Sequence, residues 1–307
     1  MNGKKIFKSG SVIVTALLVL SSCEFSYSGG NYKPQPESND VQGRTVNAMA
    51  SSGASNFWED GPYTLAGAQI RAMNLDYPSY TETAYVDNSG YFFFNSLPSG
   101  RYLITGNHSG WIFVPREISI IGASGPLPDI LAYHQSRVDS ETIVILTQWE
   151  NTDIDIDSHL VIDNDQNEDN GYWGLVNYNN TSEPGVSLDR DITTSDMDFG
   201  YPAVETMRIY SNPVPDGTGQ LRFYLQSYTD DGLTGMEFDP SDPLYQRRAN
   251  AVVHVMQGQT HFGTWYMPIE TLETTLGILK IDVTDGNPVS YLIKSFGNEG
   301  GIKSIAN

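Results

Sequence analysis

Residues 82–105 read ETAYVDNSGYFFFNSLPSGRYLIT, and the fold is decided by how this stretch breaks into pieces. Glu82–Val86, Tyr91–Phe94 and Tyr102–Thr105 are short runs rich in aromatic and β-branched residues. Between them stand Asp87-Asn88-Ser89-Gly90 and Leu97-Pro98-Ser99-Gly100, both made of turn formers. Working outward, Ala68–Met73 precedes and Glu117–Ile121 follows with the same character, and none of these segments has a helical period. Evenly spaced short strands predict antiparallel sheets packed face to face. Gly90 and Gly100 are expected in backbone conformations that side chains resist, with Leu97 and Tyr102 covering the sandwich edge. In the unbroken run Tyr91–Phe94, period-two alternation sends two rings to the core and two outward. The outward rings, with Trp111 and Phe113, are available for a sugar face or for a neighbouring domain. This first unit spans 41–133, and Gly122–Pro128 (GASGPLP) marks its exit.

From Glu141 the β pattern resumes. Thr142–Trp149, Ser158–Ile162, Tyr172–Tyr178, Glu205–Tyr210, Gln220–Tyr228, Ala251–Met256, Thr264–Pro268 and Gly277–Val283 are the expected strands of a second antiparallel β-sandwich over 141–307. A turn of helix at Leu244–Ala249 is the one helical expectation. The fold class is therefore all-β, with two β-sandwich domains.

Composition agrees with two packed units. The chain has 307 residues, 39% of them hydrophobic, with 18 Tyr, 12 Phe and 5 Trp, enough to bury real cores. Seventeen Lys+Arg against 37 Asp+Glu give a formal charge of −20, which repels phosphate backbones and argues against nucleic-acid binding. One cysteine excludes a disulfide framework, a Cys-rich zinc site and a CxxC redox motif.

That cysteine, Cys23, ends an amino-terminal signal. Lys4, Lys5 and Lys8 precede the apolar run Ser11–Leu20 (SVIVTALLVL), too short to span a bilayer, and Leu20-Ser21-Ser22-Cys23 follows. The last four residues resemble the lipobox of bacterial lipoproteins. The resemblance implies that residues 1–22 are removed and that Cys23 carries a lipid anchor to a membrane of the bacterial cell envelope. Cleavage there removes three lysines and no acid, leaving 14 basic residues against 37 acidic. Residues 23–40 are the acylated cysteine and a polar Gly/Pro/Ser/Asn-rich tether.

Acidic clusters carry what chemistry the sequence offers. In Ile145–Leu160 (ILTQWENTDIDIDSHL), a strand would place Asp153, Asp155 and Asp157 on one face, with carboxylates about 6.5–7 Å apart. Asp189 and Asp191 repeat the spacing, and Glu205 follows on the next segment. Brought together, these hard oxygen ligands suit Ca²⁺. The alternative is a solvated acidic edge that discourages strand pairing. Asp163, Asp165, Asn167 and Asp169 imitate an EF-hand only superficially, since Glu168 stands at the sixth position and Gly174 at the twelfth; a polar hairpin loop is expected there. His159 beside the acids is read as structural, with general-base chemistry in a hydrolase as the alternative. His254 and His261 are expected at exposed turn positions. Tyr91, Phe93, Trp111, Trp149 and Trp173 are candidate stacking rings for an envelope glycan.

Two resemblances add to this reading. Leu65–Ile70 (LAGAQI), Val86–Phe93 (VDNSGYFF) and Leu97–Tyr102 (LPSGRY) follow the motif order of the carboxypeptidase regulatory-like family. The resemblance implies a transthyretin-like, immunoglobulin-like sandwich with a carbohydrate-binding-like fold and no peptidase activity of its own. Ile145–Leu160 and Leu188–Ile209, with Gly263-Thr264-Trp265, resemble the YfaP-type family of exported proteins, departing from its pattern at Gln148 and at Tyr201–Glu205. No reaction is implied by that family. The expectation is a non-enzymatic binding or structural module of the envelope, with a glycan or protein partner.

Overall fold

Asp87 builds the turn that the sequence marks. Its Oδ1 accepts from the Ser89 N–H (2.7 Å) and the Tyr91 N–H (3.0 Å), and Gly90 takes φ +85°. Seven residues after Gly90, Leu97-Pro98-Ser99-Gly100 turns the chain back. The Tyr102 hydroxyl donates to the Pro98 carbonyl at 2.9 Å, which ties that turn to the core. These features belong to a computed structural model that describes residues 39–50, 65–121, 126–150, 155–164, 172–198, 202–210, 218–227, 251–266, 275–284 and 287–295. Cys23, Asp153, Asp165, Asn167, Asp169 and Leu244–Ala249 lie outside the described residues, as does the side chain of Trp173.

Among the described residues, eight strands form the amino-terminal sandwich: β1 (Asn39–Asn47), β2 (Gln69–Asn74), β3 (Thr81–Tyr85), β4 (Tyr91–Leu97), β5 (Gly100–Asn107), β6 (Trp111–Phe113), β7 (Arg116–Ile120) and β8 (Ile130–His134). One sheet runs β4-β1-β8-β6 and the other β3-β2-β5-β7. Between them, Val41, Leu65, Ile70, Phe92, Phe94, Leu97, Tyr102, Ile104 and Ile130 form the core. As the alternation requires, Phe92 and Phe94 point inward while Phe93 is 55% exposed. Two details differ from the expectation. The pair β1–β8 is parallel, joining Thr45–Asn47 to Ile130–Ala132. β1 also begins at Asn39, inside the stretch read as tether, because Asn39 pairs with Leu97 and the Ser96 N–H donates to Asp40.

Gly43 in β1 lies hard against the ring of its register partner, Phe92. A Cβ there would fall 2.2 Å from Phe92 Cζ, so Gly43→Ala must displace the largest side chain opposite it. We expect a loss of about 1–3 kcal/mol in urea unfolding. An unchanged midpoint would show that the ring moves freely.

The carboxy-terminal sandwich has a five-stranded sheet, β11-β10-β15-β18-β19, and a six-stranded sheet, β12-β13-β14-β9-β16-β17. Its strands are β9 (Ile143–Gln148), β10 (Ile156–Asn164), β11 (Tyr172–Val176), β12 (Ser182–Glu183), β13 (Val186–Arg190), β14 (Val204–Ile209), β15 (Thr218–Ser227), β16 (Val252–Gln257), β17 (Thr260–Tyr266), β18 (Thr275–Thr284) and β19 (Asn287–Ser295). All of its pairings are antiparallel. Helical segments among the described residues are short, Thr194–Asp198 and a 3₁₀ turn at Gln135–Arg137 among them. None is long and apolar enough to cross a membrane.

β9 reads IVILTQ without alternation because both of its faces are buried. Ile143 and Ile145 enter the core between the two sheets. Val144 and Leu146 join Val204 and Met256 against Val46, Ala48, Ile112, Leu131 and Tyr133 of the amino-terminal sandwich. Polar bonds fix the same contact. The Tyr133 hydroxyl donates to the Gly258 carbonyl at 2.8 Å, and Thr206 Oγ1 donates to the Ala48 carbonyl.

Candidate functional site

At one end of the carboxy-terminal sandwich the inward positions turn polar. Thr147 on β9 meets Ser158 on β10 through their hydroxyls at 3.1 Å, and the Ser158 N–H donates to Glu205 Oε2 at 2.7 Å. Glu205 sits on β14 with Met207 and Ile209, whose side chains enter the core, so its carboxylate is sent into the interior. There, oxygens of Asp157, Asp191 and Glu205 all lie within 4.8 Å of one another. Glu205 is 1% exposed and Asp157 6%. Oε1 of Glu205 has no hydrogen-bond donor among the described residues. Burial, then the neighbouring Asp191 and Asp157 carboxylates, holds the Glu205 pKa well above the usual carboxylate range, and the Ser158 N–H only partly opposes this.

A solvated acidic edge does not describe these groups. Asp155 is buried too, at 8% exposed, although its carboxylate is not one of the three that converge. Asp189 departs from the expected set for a geometric reason. Leu188 pairs with Met207 and Arg190 with Thr206, so two residues of β13, Asp189 and Arg190, oppose one of β14. This bulge separates the two aspartates. Asp189 turns to Arg208 in a bidentate ion pair, with Arg208 Nη2 to Oδ1 at 2.7 Å, while Asp191 meets Glu205. Arg190, 1% exposed, donates to the carbonyl of Pro202 at 3.2 Å.

His159 is 1% exposed, and neither ring nitrogen has a hydrogen-bond partner among the described residues. It stands edge-on to Tyr178 at 6.4 Å, and desolvation lowers it to about 4. A base must reach a substrate proton; this imidazole is enclosed, and the hydrolase alternative gains nothing from it. Asp163 pairs with Arg222 at 2.8 Å, on the hairpin that β10 makes with β11.

Of the ring candidates, Phe93 is exposed and Tyr91 half-buried. Trp111 packs against the amino-terminal core and stands edge-on to His134 at 5.4 Å, so it is a packing residue and not an open platform. Trp149 is 4% exposed and belongs to the carboxy-terminal core.

His254 corrects the expectation of an exposed turn. It lies within β16, 1% exposed, with Nδ1 3.0 Å from Thr264 Oγ1, and His261 Nε2 is 3.1 Å from the same hydroxyl. Burial lowers His254 to about 3, helped by the positive Arg116 and by His261. An imidazole that titrates near 6.5 when unfolded contributes stability that is complete above pH 6.5 and lost as pH falls toward 3. The loss should be roughly 2 kcal/mol between pH 7 and pH 5. His254→Gln, which keeps a partner for Thr264, should flatten the denaturation profile by that amount. Parallel profiles for the two proteins would refute the assignment.

No family model matches the chain, and no curated protein matches it. A solved protein of unknown function is similar at 12% identity and a TM-score of 0.38, covering 51% of this chain and 87% of its own. A homologue of the telluride resistance protein TerD from Streptomyces coelicolor A3(2) is similar at 11% identity and a TM-score of 0.40, covering 52% and 89%. A DUF3823 family protein from Bacteroides ovatus is similar at 11% identity and a TM-score of 0.20, covering 62% and 89%. At these scores none of them assigns a role to a residue here.

Proposed function

We propose that this chain is a non-enzymatic binding and structural module of the bacterial cell envelope, anchored through a lipid on Cys23, whose carboxy-terminal sandwich is organised by Ca²⁺. The observation that carries the cation is the convergence of Asp157, Asp191 and Glu205, two of them buried, on one point of the sandwich interior. Three carboxylates at this spacing repel one another in a medium that screens poorly. A shared hard cation removes that cost. With ligand distances of 2.3–2.6 Å, Ca²⁺ can bridge oxygens up to about 5 Å apart, whereas Mg²⁺ at 2.0–2.1 Å spans about 4 Å and demands stricter geometry. The donor set, oxygen only and anionic, suits Ca²⁺ and not a softer metal.

The cation joins β10 of one sheet to β13–β14 of the other, so its role is to close an end of the sandwich and not to activate a reactant. The envelope location rests on the lipobox-like Leu20–Cys23 and on the tether that follows it. Calorimetric titration of the chelator-treated protein with Ca²⁺ and Mg²⁺ tests the cation. Saturable Ca²⁺ binding that Asp157→Asn removes is expected; no heat with either ion, together with an unchanged melting temperature, would reject it.

A further inference from the structure

Part of the outward face of the β1–β4 ladder is turned toward the carboxy-terminal sandwich. Arg44 and Tyr91 are register partners across that ladder, so they stand side by side on the face opposite Phe92 and Phe94. Facing them is the carboxy-terminal end of β9, and between lies a cleft of about 540 Å³ lined by Arg44, Tyr91, Asp129, Gln148, Trp149 and Glu150 among others. Both sandwiches contribute to it. Neither would hold such a cleft alone.

Its polar groups are held in place before any ligand arrives. Arg44 forms a bidentate pair with Asp129, Nε to Oδ1 at 2.9 Å. Gln148 Nε2 donates to the Asp129 carbonyl at 3.0 Å, and Gln148 Oε1 accepts from the buried Arg116. Arg116 also lies 3.7 Å from the Glu150 carboxylate, which is half-exposed. Trp149, whose backbone N–H donates to the Ala203 carbonyl at 3.1 Å, forms part of the wall. Fixed planar donors and acceptors beside an aromatic ring are what a ligand needs if it presents an apolar C–H face on one side and hydroxyls around its edge. Because the guanidinium and carboxylate charges nearly balance, a strongly charged ligand gains little here.

We infer that this cleft binds a neutral saccharide, with the Tyr91 ring against a sugar face and Arg44, Asp129, Gln148 and Glu150 on its hydroxyls. The size fits one or two pyranose rings and not a folded partner, and the site is independent of the cation proposed above.

The test is titration of the full chain, followed by calorimetry and by ligand-observed NMR, with hexaoses of glucose, mannose, xylose and N-acetylglucosamine. At least one should bind saturably. Tyr91→Ala and Glu150→Gln should each weaken that binding about tenfold or more, and the half-exposed Glu150 gives a variant with little reason to misfold. Both variants should keep the Ca²⁺-dependent rise in melting temperature of the parent. No binding by any of the four hexaoses would overturn the saccharide assignment. Binding that both variants leave intact would move it out of this cleft. Should the parent show no Ca²⁺ response, the cation reading fails, and the saccharide result stands or falls by its own two variants.

Discussion

Adding Ca²⁺ to the chelator-treated protein is expected to raise its melting temperature by roughly 5–10 °C, and Glu205→Gln is expected to abolish the rise. The size follows from linkage. Saturation at about a hundred times the dissociation constant stabilises the native state by about 2.7 kcal/mol, and each kcal/mol is worth about 2–4 °C in a protein of this size. Glu205→Gln is the informative change because it keeps the shape and the acceptor for the Ser158 N–H while removing one of three converging carboxyl ligands. The metal-free variant should therefore be as stable as the metal-free parent, or more so, although Glu205 is buried. A variant that simply unfolds would show the carboxylate to be needed for packing. One that keeps the full Ca²⁺ response would place the ion elsewhere. Scanning calorimetry of parent and variant, with and without Ca²⁺, separates these outcomes.

The second large effect lies where the sandwiches meet. Leu146 is fully buried on the face of β9 turned toward Val46, Ala48 and Leu131. Leu146→Asp places a carboxylate in that apolar layer. An unpaired buried charge costs several kcal/mol, so we expect a loss of about 3–5 kcal/mol or a parting of the two sandwiches. Either event exposes the connection between β8 and β9. Limited proteolysis should cut the variant between residues 135 and 142 at a protease concentration that leaves the parent intact, and urea unfolding should shift from one transition to two. A single unshifted transition with parental resistance would mean that the layer does not hold the sandwiches together.

How far the sequence could carry these conclusions depends on the distance over which each interaction acts. The Asp87–Gly90 turn and the Leu97–Tyr102 motif are local, and their hydrogen bonds are those that their residue types predict. The inward and outward rings of Tyr91–Phe94 follow from alternation alone. β8 was harder to see, because ILAYH follows a Gly/Pro-rich exit and has one of its two partners in β1, more than eighty residues earlier. Trp111 looked like a free ring because nothing local reveals His134 against it.

The acidic site was half legible. The residue types and spacing around Asp157, Asp191 and Glu205 point to hard cation ligands, but period-two reasoning gives Asp189 and Asp191 the same surroundings. A one-residue bulge against Thr206 sends them apart, and bulges have no signature in the sequence LDRD. Burial was the other missing quantity. His254 sits in a strand covered on both sides, and only the run VVHVM, apolar around it, hinted at that. The cleft was not legible at all, since Arg44, Tyr91, Asp129 and Glu150 meet only after both sandwiches have formed and docked.

The place of β1 in its sheet bears on how the protein answers mechanical load. β1 is flanked by β4 on one side and by the parallel β8 on the other. A pull at its amino-terminal end runs along the strand axis and across two ladders of hydrogen bonds at once. The load is therefore shared in shear, and rupture requires many bonds to fail together instead of one after another as in a peeling edge strand. A strand so placed is the tensile member of its sheet.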